Sequence, residues 1–204
     1  PYPYDTAGQA SVTAEQSETT THLTVDDGKG NVVSYTFTIE STGGNGVVVP
    51  GWGFLLNNEL TDFNFDSLTH PNRVEGGKRP RSSMSPTIVL DDGEPLLALG
   101  SPGGSTIITV VLQILVERLD LGASLPDAIA AARASQRNTA ATVAEPAFSD
   151  SPEGQALAAE YGHVFSSTAE IGAATGLEFL ADGRVLAAAE PTRRGGGSAM
   201  VEEP

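Results

Sequence analysis

The stretch Thr19-Thr20-Thr21-His22-Leu23-Thr24-Val25, the cluster Asp26-Asp27-Gly28-Lys29-Gly30-Asn31 and the run Val32-Val33-Ser34-Tyr35-Thr36-Phe37-Thr38-Ile39-Glu40 read together as a β-hairpin over roughly 20–40. Two runs rich in Val, Thr, Tyr and Phe flank Asp, Gly and Asn, which tolerate the positive φ angles of a tight turn. Hydroxyls crowd the start of the first strand. Thr is a good strand former, so such a run is in most proteins simply a strand. A threonine can also be a nucleophile when a base lies beside it, and its own α-amine serves once the preceding peptide bond is cut.

Outward from the hairpin, residues 1–19 are polar, lack periodicity and read as a linker or tail. After it comes the glycine loop Ser41-Thr42-Gly43-Gly44-Asn45-Gly46, then strand-like pieces at Val47–Val49 and Gly53–Leu56 around Pro50-Gly51-Trp52. The segment from Asn57 to Asp66 is dense in Asn, Asp and Glu; an ordinary acidic loop with Asx turns explains it as well as a cation grip does. Residues 67–81 form a locally basic loop, either a lid or a plain connection.

Thr87–Leu90, the turn Asp91-Asp92-Gly93-Glu94 and Pro95–Gly100 predict a second hairpin, apolar enough for strands covered on both faces. It leads through Ser101-Pro102-Gly103-Gly104-Ser105 into a helix in which Ile107, Ile108, Val111, Leu112, Leu115 and Leu119 recur at helical spacing. Glycines at a helix mouth leave N–H groups free for an anion or oxyanion, although a plain strand–loop–helix connection looks the same. A phosphate-binding P-loop is excluded, because no Gly-Lys-Ser/Thr follows. Leu125–Ser135 and Pro152–Tyr161 read as helices, Ile171–Leu180 and Val185–Ala189 as a closing hairpin around Asp182-Gly183, and Arg193–Ser198 as a loop. Strands, a core helix, more helices and strands again predict an α+β protein with helices layered over sheets.

Composition narrows the function classes. The 204 residues are 39% hydrophobic and 18% charged, which suits one packed domain or one large lobe of something bigger, and not a disordered tail. A net charge of −15 disfavours nucleic acid and anionic membrane surfaces as partners. The absence of cysteine excludes disulfides, thiolate catalysis and zinc–thiolate sites. His22, His70 and His163 are scattered, so no metal is expected. The longest apolar run, Ile107–Val116, is too short to span a bilayer, and no stretch reads as a signal peptide.

Four segments together resemble the small, catalytic subunit of the γ-glutamyltranspeptidase (glutathione hydrolase) family of N-terminal-nucleophile hydrolases. They are Thr20-Thr21-His22; Gly53-Phe54-Leu55-Leu56-Asn57-Asn58 with Asp62-Phe63; Arg79-Pro80 through Ser82-Ser83-Met84-Ser85-Pro86-Thr87; and Gly100-Ser101-Pro102-Gly103-Gly104-Ser105. They stand in the family's order and spacing, over residues 20 to about 195. The resemblance implies a four-layer αββα sandwich completed by a large subunit from the same precursor. It implies self-cleavage between Thr19 and Thr20, with 1–19 as the tail of the large subunit and 20–204 as the small one; Thr19 or Thr21 are the neighbouring registers. Thr20 is then the nucleophile, Thr38 orients it, and Gly103 and Gly104 form the oxyanion hole. Glu59 and Asp62 grip the α-amino group of a γ-glutamyl donor, with Glu40 where many members carry Asn. Ser82 and Ser83 hold its α-carboxylate beside an arginine of the large subunit. Glutathione or another γ-glutamyl compound is the expected donor, and water, an amino acid or a peptide the acceptor. No cofactor is implied, and the location is secreted, periplasmic or cell-surface. Two alternatives stand beside it: an acylase of the same family acting on glutaryl or poly-γ-glutamate substrates, and an unprocessed, non-catalytic homologue.

Overall fold

A computed structural model describes residues 19–201; of the expected tail over 1–19, all but Thr19 lies outside the described residues. In chain order the elements are β1 (Thr21–Asp26), β2 (Val32–Phe37), β3 (Thr87–Asp91), β4 (Glu94–Gly100), α1 (Ile107–Leu119), α2 (Leu125–Ala130), β5 (Ala134–Ser135), β6 (Thr142–Ala144), α3 (Pro146–Ser149), α4 (Pro152–Tyr161), β7 (Phe165–Ser167), β8 (Thr175–Phe179) and β9 (Val185–Ala189). β1 and β2 pair as a hairpin, β3-β4-β8-β9 form an antiparallel sheet, and β5-β6-β7 form a small third one. The first turn closes as an Asx motif: the Asp27 carboxylate accepts the N–H groups of Lys29 (2.8 Å) and Asn31 (3.1 Å).

The hairpin lies across β4 and β8, and α1 and α2 cover the opposite side of the four-stranded sheet. Three layers of the sandwich are thus present among the described residues. β4 serves both interfaces by alternation. Leu97 and Leu99 enter a core with Ile107, Val110, Val111, Ile114, Leu125 and Ile129 of the helices, whereas Gly100 meets the hairpin. Burial of such aliphatic side chains stabilises by roughly 1.5–3 kcal/mol each, so the helical interface dominates the stability of the unit.

The hairpin is inverted relative to ordinary amphipathic logic. Its pairs His22↔Thr36 and Thr24↔Ser34 share one face, and Leu23↔Tyr35 and Val25↔Val33 the other. It is the polar face that turns inward: His22 and Thr36 are buried, whereas Leu23, Val25, Val33, Tyr35 and Phe37 are 40–52% exposed. The buried polar groups are paired, as burial requires. His22 Nδ1 shares a 2.6 Å hydrogen bond with Thr36 Oγ1, and Ser34 Oγ donates to the Leu99 carbonyl of β4 at 3.1 Å.

Several expectations need correction. The buried stripe of α1 is Ile107, Val110, Val111 and Ile114, while Ile108, Leu112 and Leu119 face outward. β3 is an edge strand with Ile88 and Leu90 exposed, so only β4 of that hairpin is covered on both faces. α2 stops at Ala130 and not Ser135, because Ala131 turns to ψ 144° and Ala134–Ser135 pair with β6. The Val47–Val49 and Gly53–Leu56 pieces reduce to a single bridge between Val48 and Leu55. Arg193 is no loop residue in character: it is buried. α4 forms as expected, with Ser151 Oγ capping the Gly154 N–H at 3.0 Å and Gly162 closing the helix at φ 69°. No helix among the described residues is long and apolar enough to cross a membrane.

The tightest point between hairpin and sheet is Gly100. A Cβ there would stand 2.3 Å from His22 Cε1 and 2.5 Å from Nδ1, so the imidazole lies directly on the glycine backbone. Burial holds the His22 pKa down, from 6.5 to about 4. The folded protein therefore favours neutral His22, and stability is full above pH 6.5 and declines as pH falls from there toward about 4. Gly100→Ala is expected to lower unfolding free energy by about 1–3 kcal/mol in chemical denaturation, as overpacking does. His22→Gln should flatten the loss of stability between pH 6.5 and 4 relative to wild type.

Candidate active site

The three threonines at the head of β1 have distinct surroundings. Thr21 is exposed and opposite Phe37 on the outer face of the hairpin. Thr19 Oγ1 donates to the Glu40 carbonyl at 3.1 Å. Thr20 Oγ1 donates to Thr38 Oγ1 at 3.0 Å, and Thr38 Oγ1 in turn accepts the Glu40 N–H at 2.9 Å. With that N–H as donor to its oxygen, the Thr38 hydroxyl is oriented, and it fixes the Thr20 hydroxyl at the end of the strand.

Glu40 has φ 72°, a left-handed conformation uncommon for a residue with a long side chain. It turns the chain out of β2 so that its carboxylate meets the next segment. Ser41 Oγ and Asn58 Nδ2 donate to Glu40 Oε2, with Thr61 Oγ1 further off at 3.4 Å. Asn58 acts as a buckle: its Oδ1 accepts the Ser41 N–H at 3.0 Å, and its own N–H reaches the Ile39 carbonyl at 3.2 Å. It thereby seats the 3-10 turn Glu59–Asp62 beside Glu40.

Three carboxylates consequently share one small region. Burial raises the Glu59 pKa, and the charges of Asp62 and Glu40 raise it further. Burial and Glu40 likewise raise Asp62, against the opposing pull of Arg81. The 67–81 loop is strapped to this turn: Asn72 Nδ2 donates to the Asp62 carbonyl at 2.6 Å and Asn72 Oδ1 accepts the Arg81 N–H at 2.9 Å. Ser82 and Ser83 follow Arg81 directly, on the extended lead into β3, where Ser82 Oγ accepts the Met84 N–H at 3.2 Å.

Gly103 and Gly104 enter from a different element, the turn between β4 and α1. Their φ values of 146° and 49° are open to glycine and strained for other residues. Thr106 N–H and Oγ1 both donate to the Gly103 carbonyl, at 2.9 and 2.8 Å, which turns the chain into the helix. Their link to Thr20 runs through the contact of His22 on Gly100. His22 itself is a packing group: neutral, buried and bonded to Thr36.

Thr20, Thr38, Glu40, Glu59 and Asp62 are thus gathered around one corner, Ser82 and Ser83 follow the arginine that faces it, and the glycine pair is tied in through β4. Sequence reasoning quoted Asn58 within a motif and assigned it no role. Ser101 is likewise quoted within a motif and Arg193 at the head of a loop, neither with a role, and the buried Arg133, Glu145 and Glu190 have no local pattern to betray them.

The γ-glutamyltranspeptidase family model matches residues 2–200, nearly the whole chain. The chain belongs to the γ-glutamyltranspeptidase family. A glutathione hydrolase proenzyme of Bacillus subtilis (strain 168) is 52% identical over 111 residues, 54% of this chain and 19% of the relative. An acylase ACY 1 proenzyme of Pseudomonas sp. (strain SE83) is 41% identical over 127 residues, 61% of this chain and 22% of the relative. The chain therefore spans about a fifth of the length of these curated relatives. A solved structure of γ-glutamyltranspeptidase from Pseudomonas nitroreducens complexed with L-DON superposes with TM-score 0.79 and 32% identity, covering 90% of this chain and 100% of that one. The γ-glutamyltranspeptidase fold accounts for the stacked sheets and their helical cover.

Within this acidic corner, removing the Glu40 charge should be felt by its neighbours. Glu40→Gln is expected to lower the titration midpoints of both Glu59 and Asp62 in carboxylate-detected NMR, leaving the part due to burial. Unchanged midpoints would mean that burial alone raises them.

Proposed function

We propose that this chain is the catalytic part of a self-processing γ-glutamyl transferase or glutathione hydrolase, with Thr20 as its nucleophile. The observation that carries the proposal is the Thr20–Thr38 hydroxyl pair at 3.0 Å beside the Glu40, Glu59 and Asp62 carboxylates. In processing, Thr20 Oγ1 attacks the Thr19 carbonyl carbon, the C–N bond breaks as the nitrogen takes a proton, and the resulting ester is hydrolysed. The freed α-amine is then the base. The distinct partners of Thr19 and Thr21 support Thr20 as the register.

Catalysis follows the same path in two steps. The amine takes the Thr20 hydroxyl proton, Oγ1 attacks the γ-carbonyl of the donor, and the N–H groups of Gly103 and Gly104 receive the oxyanion. The leaving amine departs with the proton. Water or an acceptor amine, deprotonated by the Thr20 amine, then releases the γ-glutamyl group. Glu40, Glu59 and Asp62 would grip the donor's ammonium, and Ser82 and Ser83 its α-carboxylate. A large subunit from the same precursor supplies an arginine and the remaining layer; export to a secreted, periplasmic or cell-surface location goes with this reading.

The acylase relative favours a second reading, a glutaryl-type substrate without an ammonium. Three clustered carboxylates are an unfavourable place for a neutral or anionic end group, so the γ-glutamyl reading is preferred. Intact-mass measurement of the precursor should give a fragment starting at Thr20, and Thr20→Ala should stay whole. A wild type that remains uncut would overturn the proposal, and a cut before Thr19 or Thr21 would move the register. Faster turnover of glutaryl than γ-glutamyl anilide would select the acylase.

A further inference from the structure

Ser101 precedes the glycine turn and is completely buried. Its hydroxyl bridges two backbone groups from distant parts of the chain: Oγ donates to the Pro102 carbonyl and accepts the Ala173 N–H at 3.0 Å. The segment it reaches is pressed against the turn. A Cβ on Gly172 would stand 2.7 Å from Ser101 Oγ and 3.0 Å from the Pro102 carbonyl oxygen, and a Cβ on Gly103 would stand 3.3 Å from Gly172 Cα. Residues 172 and 173 are the floor on which Gly103 rests.

That floor is itself clamped by buried charge. Glu145 Oε1 accepts the Ile171 N–H at 2.8 Å, and Arg133 Nη1 donates to the Ile171 carbonyl at 2.7 Å, so both polar groups of that peptide unit's residue are held. Arg193 grips Glu145 with two parallel bonds, each 2.6 Å, and Glu190 spans Arg133 and Arg193 at 3.1 and 3.0 Å. Bidentate pairs of this kind fix geometry as well as charge. They are also far from any obligation to stability, since buried ion pairs are often no better than apolar packing. The four residues come from three separate segments, since Glu190 and Arg193 share one turn; Arg133 and Glu145 hold Ile171 directly, and Glu190 and Arg193 hold those two.

We infer that Ser101 is a positioning residue for the oxyanion glycines, and that the buried Arg133–Glu145–Glu190–Arg193 cluster acts through it by fixing residues 171–173. The inference rests on the assignment of Gly103 and Gly104 as the oxyanion hole. The glycines' N–H groups have no side chains of their own to aim them, so their direction is set by the peptide planes on either side. Ser101 fixes the plane on one side through the Pro102 carbonyl, and Thr106 fixes the other through the Gly103 carbonyl.

The test uses the processed full-length protein and a γ-glutamyl anilide. Ser101→Ala should lower kcat about tenfold with KM within about twofold, because donors aimed at the transition state are misplaced while ground-state contacts persist. Ser101→Thr keeps the hydroxyl and should recover most of kcat. Should Ser101→Ala fail to fold, Glu145→Gln is measured instead and should also lower kcat at unchanged KM. An unchanged kcat in the folded variant, or an equal loss in Ser101→Ala and Ser101→Thr, overturns the positioning role. Gly103→Ala and Gly104→Ala serve as the reference: if they retain kcat, the oxyanion assignment falls, whereas if they lose it while Ser101→Ala does not, only the relay falls.

Discussion

The placement of an imidazole ring on a bare backbone sets the geometry of this protein. His22 is two residues beyond Thr20, and Gly100 three residues before Gly103. Where the ring rests on the glycine, the strand carrying the candidate nucleophile and the strand leading to the candidate oxyanion hole are held at the thickness of one aromatic ring. A larger residue at either end would push the layers apart, and every distance downstream would change with it. The cost of the arrangement is a desolvated histidine that stays neutral and satisfies its Nδ1 through Thr36.

That contact explains why the hairpin is inside out. A polar interface between two sheets is normally a weak one, but here the hydroxyls of Ser34 and Thr36 have definite partners, so their burial is compensated. The consequence is an apolar outer face, Leu23, Val25, Val33, Tyr35 and Phe37, with the Tyr35 and Phe37 rings stacked 5.5 Å apart. Contiguous apolar surface of this kind is characteristic of an interface, and on the proposed function the remaining layer of the sandwich would be supplied by the large subunit.

The strands and long helices were legible in the sequence because turn chemistry and periodicity are local. Asp27-Gly28 and Asp91-Asp92-Gly93 announced the hairpins, and the alanine-rich run Pro152–Tyr161 announced α4. The facing of those elements was less legible, since the hairpin's alternation is equally regular whichever side turns inward, and α1 carries aliphatic residues on more than one side. The β5-β6-β7 sheet has strands of two or three residues, too short for any pattern to register. The acidic cluster was visible as composition, but its construction depends on Asn58, whose bonds to residues 39–41 are set by tertiary folding. Arg133, Glu145, Glu190 and Arg193 are scattered through the chain, and their convergence has no signature in one dimension.

One bond described above has a meaning in time as well as space. Thr19 Oγ1 holds the carbonyl of Glu40, the residue kept at a left-handed φ at the edge of the candidate substrate grip. In a chain cut before Thr20, Thr19 departs with the upstream piece and that carbonyl loses its partner. On the proposed function, the uncut chain holds Glu40 under a latch that self-cleavage would remove. Such maturation would release a nucleophile's base and relax the neighbouring grip in a single event, so that precursor and product would differ in recognition as well as in reactivity.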